Sequence, residues 1–175
     1  MHNTTSNYNF RLLEIHDLPI IWKIVQEAIN RRKLEGSTQW QEGYPNLESI
    51  ENDLKRGFGY VLEMDGKIAA YSAIIFEIEP AYEIIVGKWE SSGNYAVIHR
   101  VAVGNDFTGN GVATQVFKEI ERVVMSQQIF TIKVDTNFDN VAMLKIFKKL
   151  QYEYRGKVYF RGSERLAFEK ILQLT

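Results

Sequence analysis

Two glycines one residue apart, Gly109 and Gly111, separate the apolar run "YAVIHRVAV" (residues 95–103) from the amphipathic run "TQVFKEIERVV" (residues 114–124). An extended segment must turn at these glycines and leave as a helix. The first N–H groups of that helix have no partners inside it. The junction is therefore either a tight strand-to-helix turn or a cradle for phosphate, because unpaired amides and the helix dipole both favour an anion. Either way, strand and helix must pack in one layered α/β unit.

The rest of the chain supplies matching elements. "YNFRLLEI" reads as a first strand. From Asp17, a plausible N-cap, Leu18, Ile21, Trp22, Val25, Ala28 and Ile29 recur at helical spacing. "KLEGSTQWQEGYP" is a loop, and "NLESIENDLKR" is a short helix stopped by Gly57. "GYVLEMDGKIAAYSAIIFEIE" is a hairpin turning at Asp65-Gly66. Period-2 alternation along its second strand puts Glu77 and Glu79 on one face with Tyr71, Ala73 and Ile75. "AYEIIVGKWESSGN" reads as a loop or an irregular excursion. A helix over residues 111–127 carries Val112, Val116, Ile120 and Val123 on one stripe, and "IFTIKVDT" is the next strand. Asp139 or Asn140 caps a helix with Leu144, Phe147 and Leu150, and "YEYRGKVYF" and "RLAFEKIL" complete a sheet. The fold class is α/β (α+β), with residues 1–175 expected as a single domain.

Composition narrows the function classes. Lys+Arg 21 against Asp+Glu 22 gives a net charge of −1, which argues against nucleic acid or an anionic membrane as partner. There is no cysteine, so disulfides, thiolate metal sites and a cysteine nucleophile are excluded, and no metal is expected. The start "MHNTTSNYNF" lacks a signal-like apolar stretch, and no run of ~18 apolar residues suggests a membrane span. The expected setting is cytoplasmic. The triplet Asn3-Thr4-Thr5 fits a glycosylation acceptor but has no use without secretion.

Three phosphate-binding readings compete at the glycines. A Walker loop needs Lys and Ser/Thr after its last glycine, where Asn110 and Gly111 stand. A dinucleotide fingerprint needs a third glycine, where Thr114 stands. The third reading rests on two segments together. Thr108-Gly109-Asn110-Gly111-Val112-Ala113 and "NVAMLKIFKKLQY" (residues 140–152) resemble, in order and spacing, the two signature segments of the GNAT superfamily of acyl-coenzyme A-dependent N-acetyltransferases. Gly111, Ala113, Asn140, Leu150 and Tyr152 agree with the family pattern, while Thr108, Met143, Phe147 and Gln151 depart from it. The ending "RGKVYFRGSERLAFEKIL" resembles a bacterial branch with unassigned substrates.

The resemblance implies a GNAT-like fold. Its mixed, mostly antiparallel sheet would have about six or seven strands, splayed between those at 95–103 and 129–135, with about four helices. It implies acetyl-CoA as cofactor. The pyrophosphate would lie on Thr108, Gly109, Asn110, Gly111, Val112, Ala113 and Thr114, and the pantetheine arm along Val101, Ala102 and Val103. Asn140 and Phe147 would complete the cofactor site. The usual basic residues are missing from the loop, so backbone dipoles must supply most of the binding.

Acyl transfer to an amine needs a neutral amine and a polarised carbonyl. Alternation puts Tyr95, Val97, His99, Val101 and Val103 on one face, and an imidazole, with a free pKa of ~6.5, suits a base there. The bland alternative is a buried histidine holding a carbonyl. Glu77, or Glu79, is a second candidate base or an anchor for a cationic acceptor. Arg100 faces away from His99 and is expected to be structural or at a partner surface. The family's usual acid would be a Tyr at 147, where this chain has Phe147. A thiol of pKa ~8.5 leaves tolerably without one, or Tyr152, Tyr154 or water substitutes. Trp40, Tyr44 and Trp89 are expected at the acceptor pocket or pinned to the core. The reaction read from these features is acyl transfer, most simply acetyl, to a small-molecule or peptide amine. A non-catalytic coenzyme A-binding module is the alternative, and a homodimer stays open.

Overall fold

A computed structural model describes residues 7–173, so the triplet Asn3-Thr4-Thr5 lies outside the described residues. Eight strands follow the order β1-β2-β3-β5-β6-β8-β7-β4, one or two more than the sequence suggested. The additional strand is a two-residue piece inside the "AYEIIVGKWESSGN" excursion. The chain divides into two compact units: the residues up to Ala73 with Arg100–Val116, and Ile74–His99 with the residues from Phe117 onward.

In the first unit, β1 (Tyr8–Leu12) pairs antiparallel with β2 (Gly59–Met64), from Tyr8 opposite Met64 to Leu12 opposite Tyr60. β2 pairs antiparallel with β3 (Lys67–Ile75) through the Asp65-Gly66 turn, where both residues take positive φ, 51° and 78°. That geometry is the primed turn that matches strand twist. The sequence expected the long strand to run past Glu77, but it ends at Ile75. β2 begins at Gly59, opposite Ala73, and Pro80 opens a new helical turn a few residues on. Glu77 and Glu79 therefore do not share a strand face with Tyr71.

α1 (Leu18–Leu34) and α2 (Leu47–Arg56) belong to the same unit. Ile21, Ile24, Val25 and Ala28 of α1 join Leu13, Ile50, Val61, Tyr71 and Ala102 in one core cluster. α2 is closed by Gly57 in the left-handed region, as its sequence announces, and at its start Asn46 accepts from the Ser49 amide. Asp17 precedes α1 but does not cap it. Its carboxylate is taken by Arg11 at 2.7 and 3.0 Å and by the Glu14 amide at 2.8 Å.

The second unit holds α3 (Pro80–Glu83), β4 (Val86–Gly87), β6 (Thr131–Thr136), α5 (Val141–Lys149), β7 (Glu153–Phe160) and β8 (Ser163–Ile171). β8 pairs antiparallel with β6 and β7, and β7 with β4. β5 (Ala96–Val103) pairs with β6 in parallel, from Ala96 opposite Ile132 to Ile98 opposite Val134. α4 (Val112–Ser126) buries Val112, Val116, Phe117, Ile120 and Val124, so Val124 takes the place expected for Val123. Among the described residues no helix is long and apolar enough to cross a membrane.

Candidate active site

Parallel pairing of β5 and β6 ends at Ile98 and Val134, so His99 and Asp135 are the next residues on the two strands. His99 Nε2 lies 3.2 Å from Glu79 Oε2. An ionised carboxylate can only accept, so Nε2 carries the proton in that bond and Nδ1 keeps its lone pair. Phe160 stands edge-on to the imidazole, with centroids 5.9 Å apart. Tyr82, fully buried, donates its hydroxyl to Asp135 Oδ1 at 2.7 Å. Burial raises the Asp135 carboxyl above the ordinary aspartate range, while His99 and the Tyr82 hydrogen bond pull it back. The Tyr82 phenol is pushed well above its usual value, first by burial and then by Asp135.

Sequence reasoning found His99 and weighed Glu79. It missed Tyr82, Asp135 and Phe160, which come together only through the register. The available signal was "IKVDT", an apolar strand carrying Lys133 and Asp135 two residues apart.

Beside this cluster, within the same unit, lies a cavity of about 590 Å³. Its walls include Phe76, Glu77, Glu83, Trp89, Tyr95 and Lys133, with the loop from Ser91 to Asn94. Glu77 thus lines this cavity. Trp89 Nε1 donates to the Tyr82 carbonyl at 2.9 Å, which fixes the indole at the wall. The loop is tied down by Glu169, 1% exposed, which accepts from the amides of Glu90 and Ser91 at 2.8 and 3.2 Å, from the Ser91 hydroxyl, and from Arg155 Nε at 3.1 Å.

Trp40 and Tyr44, the other expected pocket aromatics, sit in the first unit. Trp40 packs against its core cluster, and the Tyr44 hydroxyl accepts from Arg100. Arg100 also grips Asp53 through Nε at 2.8 Å and Nη2 at 2.5 Å, and Tyr71 donates to the same carboxylate. Arg100 is structural, as expected. Its φ of 57° interrupts the extended backbone, so the alternation read from Tyr95 to His99 does not carry on to Val101 and Val103.

The glycine loop also lies in the first unit, on a braced frame. Gly104 N donates to the Ala69 carbonyl at 2.9 Å, and Asn105 N to Glu27 Oε2 at 2.8 Å. Arg31 holds the Asn105 side chain and the Val103 carbonyl. Gly109 and Gly111 take φ of 79° and 73°, and a Cβ at either would meet nothing within 4 Å. They are required for backbone direction and leave the loop open on its outer side. The first-turn amides of Val112, Ala113 and Thr114 precede the first helical hydrogen bond, from Gln115 N to the Gly111 carbonyl, and have no partners inside α4. This open cradle fits a pyrophosphate.

Asn140 caps α5, accepting from the Met143 amide at 3.2 Å. Phe147, 0% exposed, packs on Phe117, Tyr152 and Phe168. Tyr152 is buried in that stack with Lys170 near its ring, and Tyr154 is exposed beside Phe168. Among the described residues neither tyrosine contacts the His99 cluster. No group of three or more His, Cys, Asp or Glu there could hold a metal ion.

Known proteins place this geometry. The model of the Acetyltransferase (GNAT) family matches residues 22–152. A crystal structure of a GNAT-family acetyltransferase from Streptococcus agalactiae is 34% identical, covers 95% of this chain and 96% of its own, and superposes with a TM-score of 0.89. An uncharacterised N-acetyltransferase of Bacillus subtilis is 25% identical over 126 residues, 69% of this chain and 68% of that protein. A GNAT-family acetyltransferase structure from Listeria monocytogenes, 19% identical over 94% of this chain and 95% of its own, shares the fold with a TM-score of 0.75.

Proposed function

We propose, from the premise that this chain belongs to the GNAT acetyltransferase family, that it transfers an acetyl group from acetyl-CoA to a primary amine, in the cytoplasm. Acyl-CoA-dependent transfer is the family's reaction. The observation that carries the finer reading is the His99–Glu79 pair at the point where β5 and β6 cease to pair. Bound acetyl-CoA supplies the activated acetyl thioester. The amides of residues 109–114 would hold its pyrophosphate, and residues of β5 would hold the arm.

The protein's own groups prepare the amine. His99 Nδ1 takes a proton from the incoming ammonium, directly or through a water. Glu79 fixes the ring and stabilises the imidazolium that results. Tyr82 and Asp135 line the same spot and supply a buried hydroxyl and a carboxyl of raised pKa. The cavity beside them, with its aromatic walls, offers the acceptor a place. Phe147 gives some support to a coenzyme A-binding module without chemistry, since it removes the family's usual hydroxyl. The test is thiol release from acetyl-CoA with a panel of amines, run beside calorimetry of cofactor binding. Binding without release from any amine selects the module.

A further inference from the structure

The ammonium of Lys133 lines the 590 Å³ cavity, and the residue is only 5% exposed. Its nitrogen stands 3.9 Å from the centroid of the Tyr95 ring and 4.6 Å from that of Trp89. Among the described residues no carboxylate lies within 4.0 Å of it and no acceptor takes its hydrogens. Ring faces attract a cation but do not satisfy three N–H donors. Glu169 is opposite Lys133 in the β6–β8 register, yet its oxygens are engaged by Arg155, Ser91 and the loop amides. Burial lowers the Lys133 pKa, with Glu169 and Glu83 working against it, so an anion delivered here would restore a charge the site disfavours.

We propose that Lys133 is the specificity-determining cation of this cavity and takes the carboxylate of the acceptor. The amine that is acylated then belongs to an amino acid, or to another amine that carries a carboxylate. The inference rests on the acyl-transfer reading above for the identity of the acceptor. Glu77 and Glu83 in the same walls suit its ammonium end. They also disfavour a dianion such as a phosphate, since one lysine would face two carboxylates. The rings of Tyr95 and Trp89 cover part of the ammonium, so an ion pair formed against it is screened less than one on the open surface.

The binding claim is tested without cofactor, using 3-phenylpropionate and 3-phenylpropionamide, which share size and differ in charge. The wild-type protein should bind the carboxylate at least ~10-fold more tightly than the amide, and Lys133→Met should bring the two within about twofold. Equal affinities in the wild type, no binding of the carboxylate, or a preference that survives Lys133→Met overturns the proposal. If Lys133→Met does not fold, the wild-type pair of probes still decides. Acyl transfer is tested separately with acetyl-CoA and amino acids, each paired with its decarboxylated amine. Thiol release with amines but not with amino acids also overturns the proposal. Release with neither sinks the acyl-transfer reading and leaves the binding result standing on its own.

Discussion

His99 and Glu79 are 20 residues apart in sequence and 3.2 Å apart in space, and the base proposed from this pair is judged by what its removal does. His99→Ala should lower turnover by ~10²-fold or more while cofactor affinity stays within a factor of a few, because the proposed role sets the ring against the amine rather than coenzyme A. Normal turnover in a folded variant would move the base elsewhere. Glu79→Gln keeps the contact without the charge and should cost less, about tenfold. The loop makes a second test. Gly111→Val forces a β-branched residue to φ of 73° and puts a side chain on the open face of the cradle. Coenzyme A affinity should fall by at least ~10-fold, about 1.4 kcal/mol by calorimetry, with little loss of fold because the protein itself offers no clash. At this scale the sequence was half legible. Glycines and a histidine on a strand announce themselves, because their chemistry is local. Tyr82 and Asp135 do not, because only the register of β5 on β6 makes them neighbours of His99.

Elements whose causes are local were legible. The Asp65-Gly66 hairpin, the Gly57 stop of α2, and the amphipathic α4 all follow from turn chemistry, capping and periodicity. The stretch after β3 was not, because its structure comes from a distant strand. β4 is two residues long and exists because Gly87 and Gly156 let two backbones meet. A Cβ on Gly156 would fall 2.3 Å from the Val86 carbonyl oxygen and 2.9 Å from Gly87 Cα, at a φ of 145°. Gly156→Ala should therefore break the β4–β7 contact and destabilise the protein by about 1–3 kcal/mol. The loop that follows carries Trp89 and Ser91 into the cavity wall. The same variant should raise the acceptor KM severalfold and leave coenzyme A affinity unchanged. An unaltered acceptor KM in a variant with a lowered melting temperature would show that the cavity is not the acceptor site.

Among the described residues, carboxylates pull the pH dependence of stability in opposite directions. In the first unit, Arg11 bonds Asp17 at 2.7 and 3.0 Å and Glu63 at 2.9 and 2.7 Å. The Arg11 hydrogen bond, opposed by burial, holds Asp17 below its ordinary value, and Asn9 with Arg11 does the same for Glu63. Groups lowered on folding add stability above their unfolded pKa values, about 3.9 and 4.3, and lose it as pH falls through their folded values. Arg11→Met should cost about 1–3 kcal/mol at pH 7, and the deficit should shrink as pH drops towards 2. Asp135 has the opposite sign. Its carboxyl is raised by burial, so its contribution is present below about pH 3.9 and is lost as pH rises through the folded value. Asp135→Asn keeps the shape and an acceptor for Tyr82 but carries no charge. It should melt higher than the wild type at pH 7 and show no such advantage at pH 3, where the aspartate is protonated in both states. The same variant should lose activity at pH 7 if the carboxyl serves the reaction, since carboxyls with raised pKa values cluster at functional sites. A variant that gains stability and keeps full turnover would assign Asp135 to the frame around Tyr82 and leave the chemistry to His99.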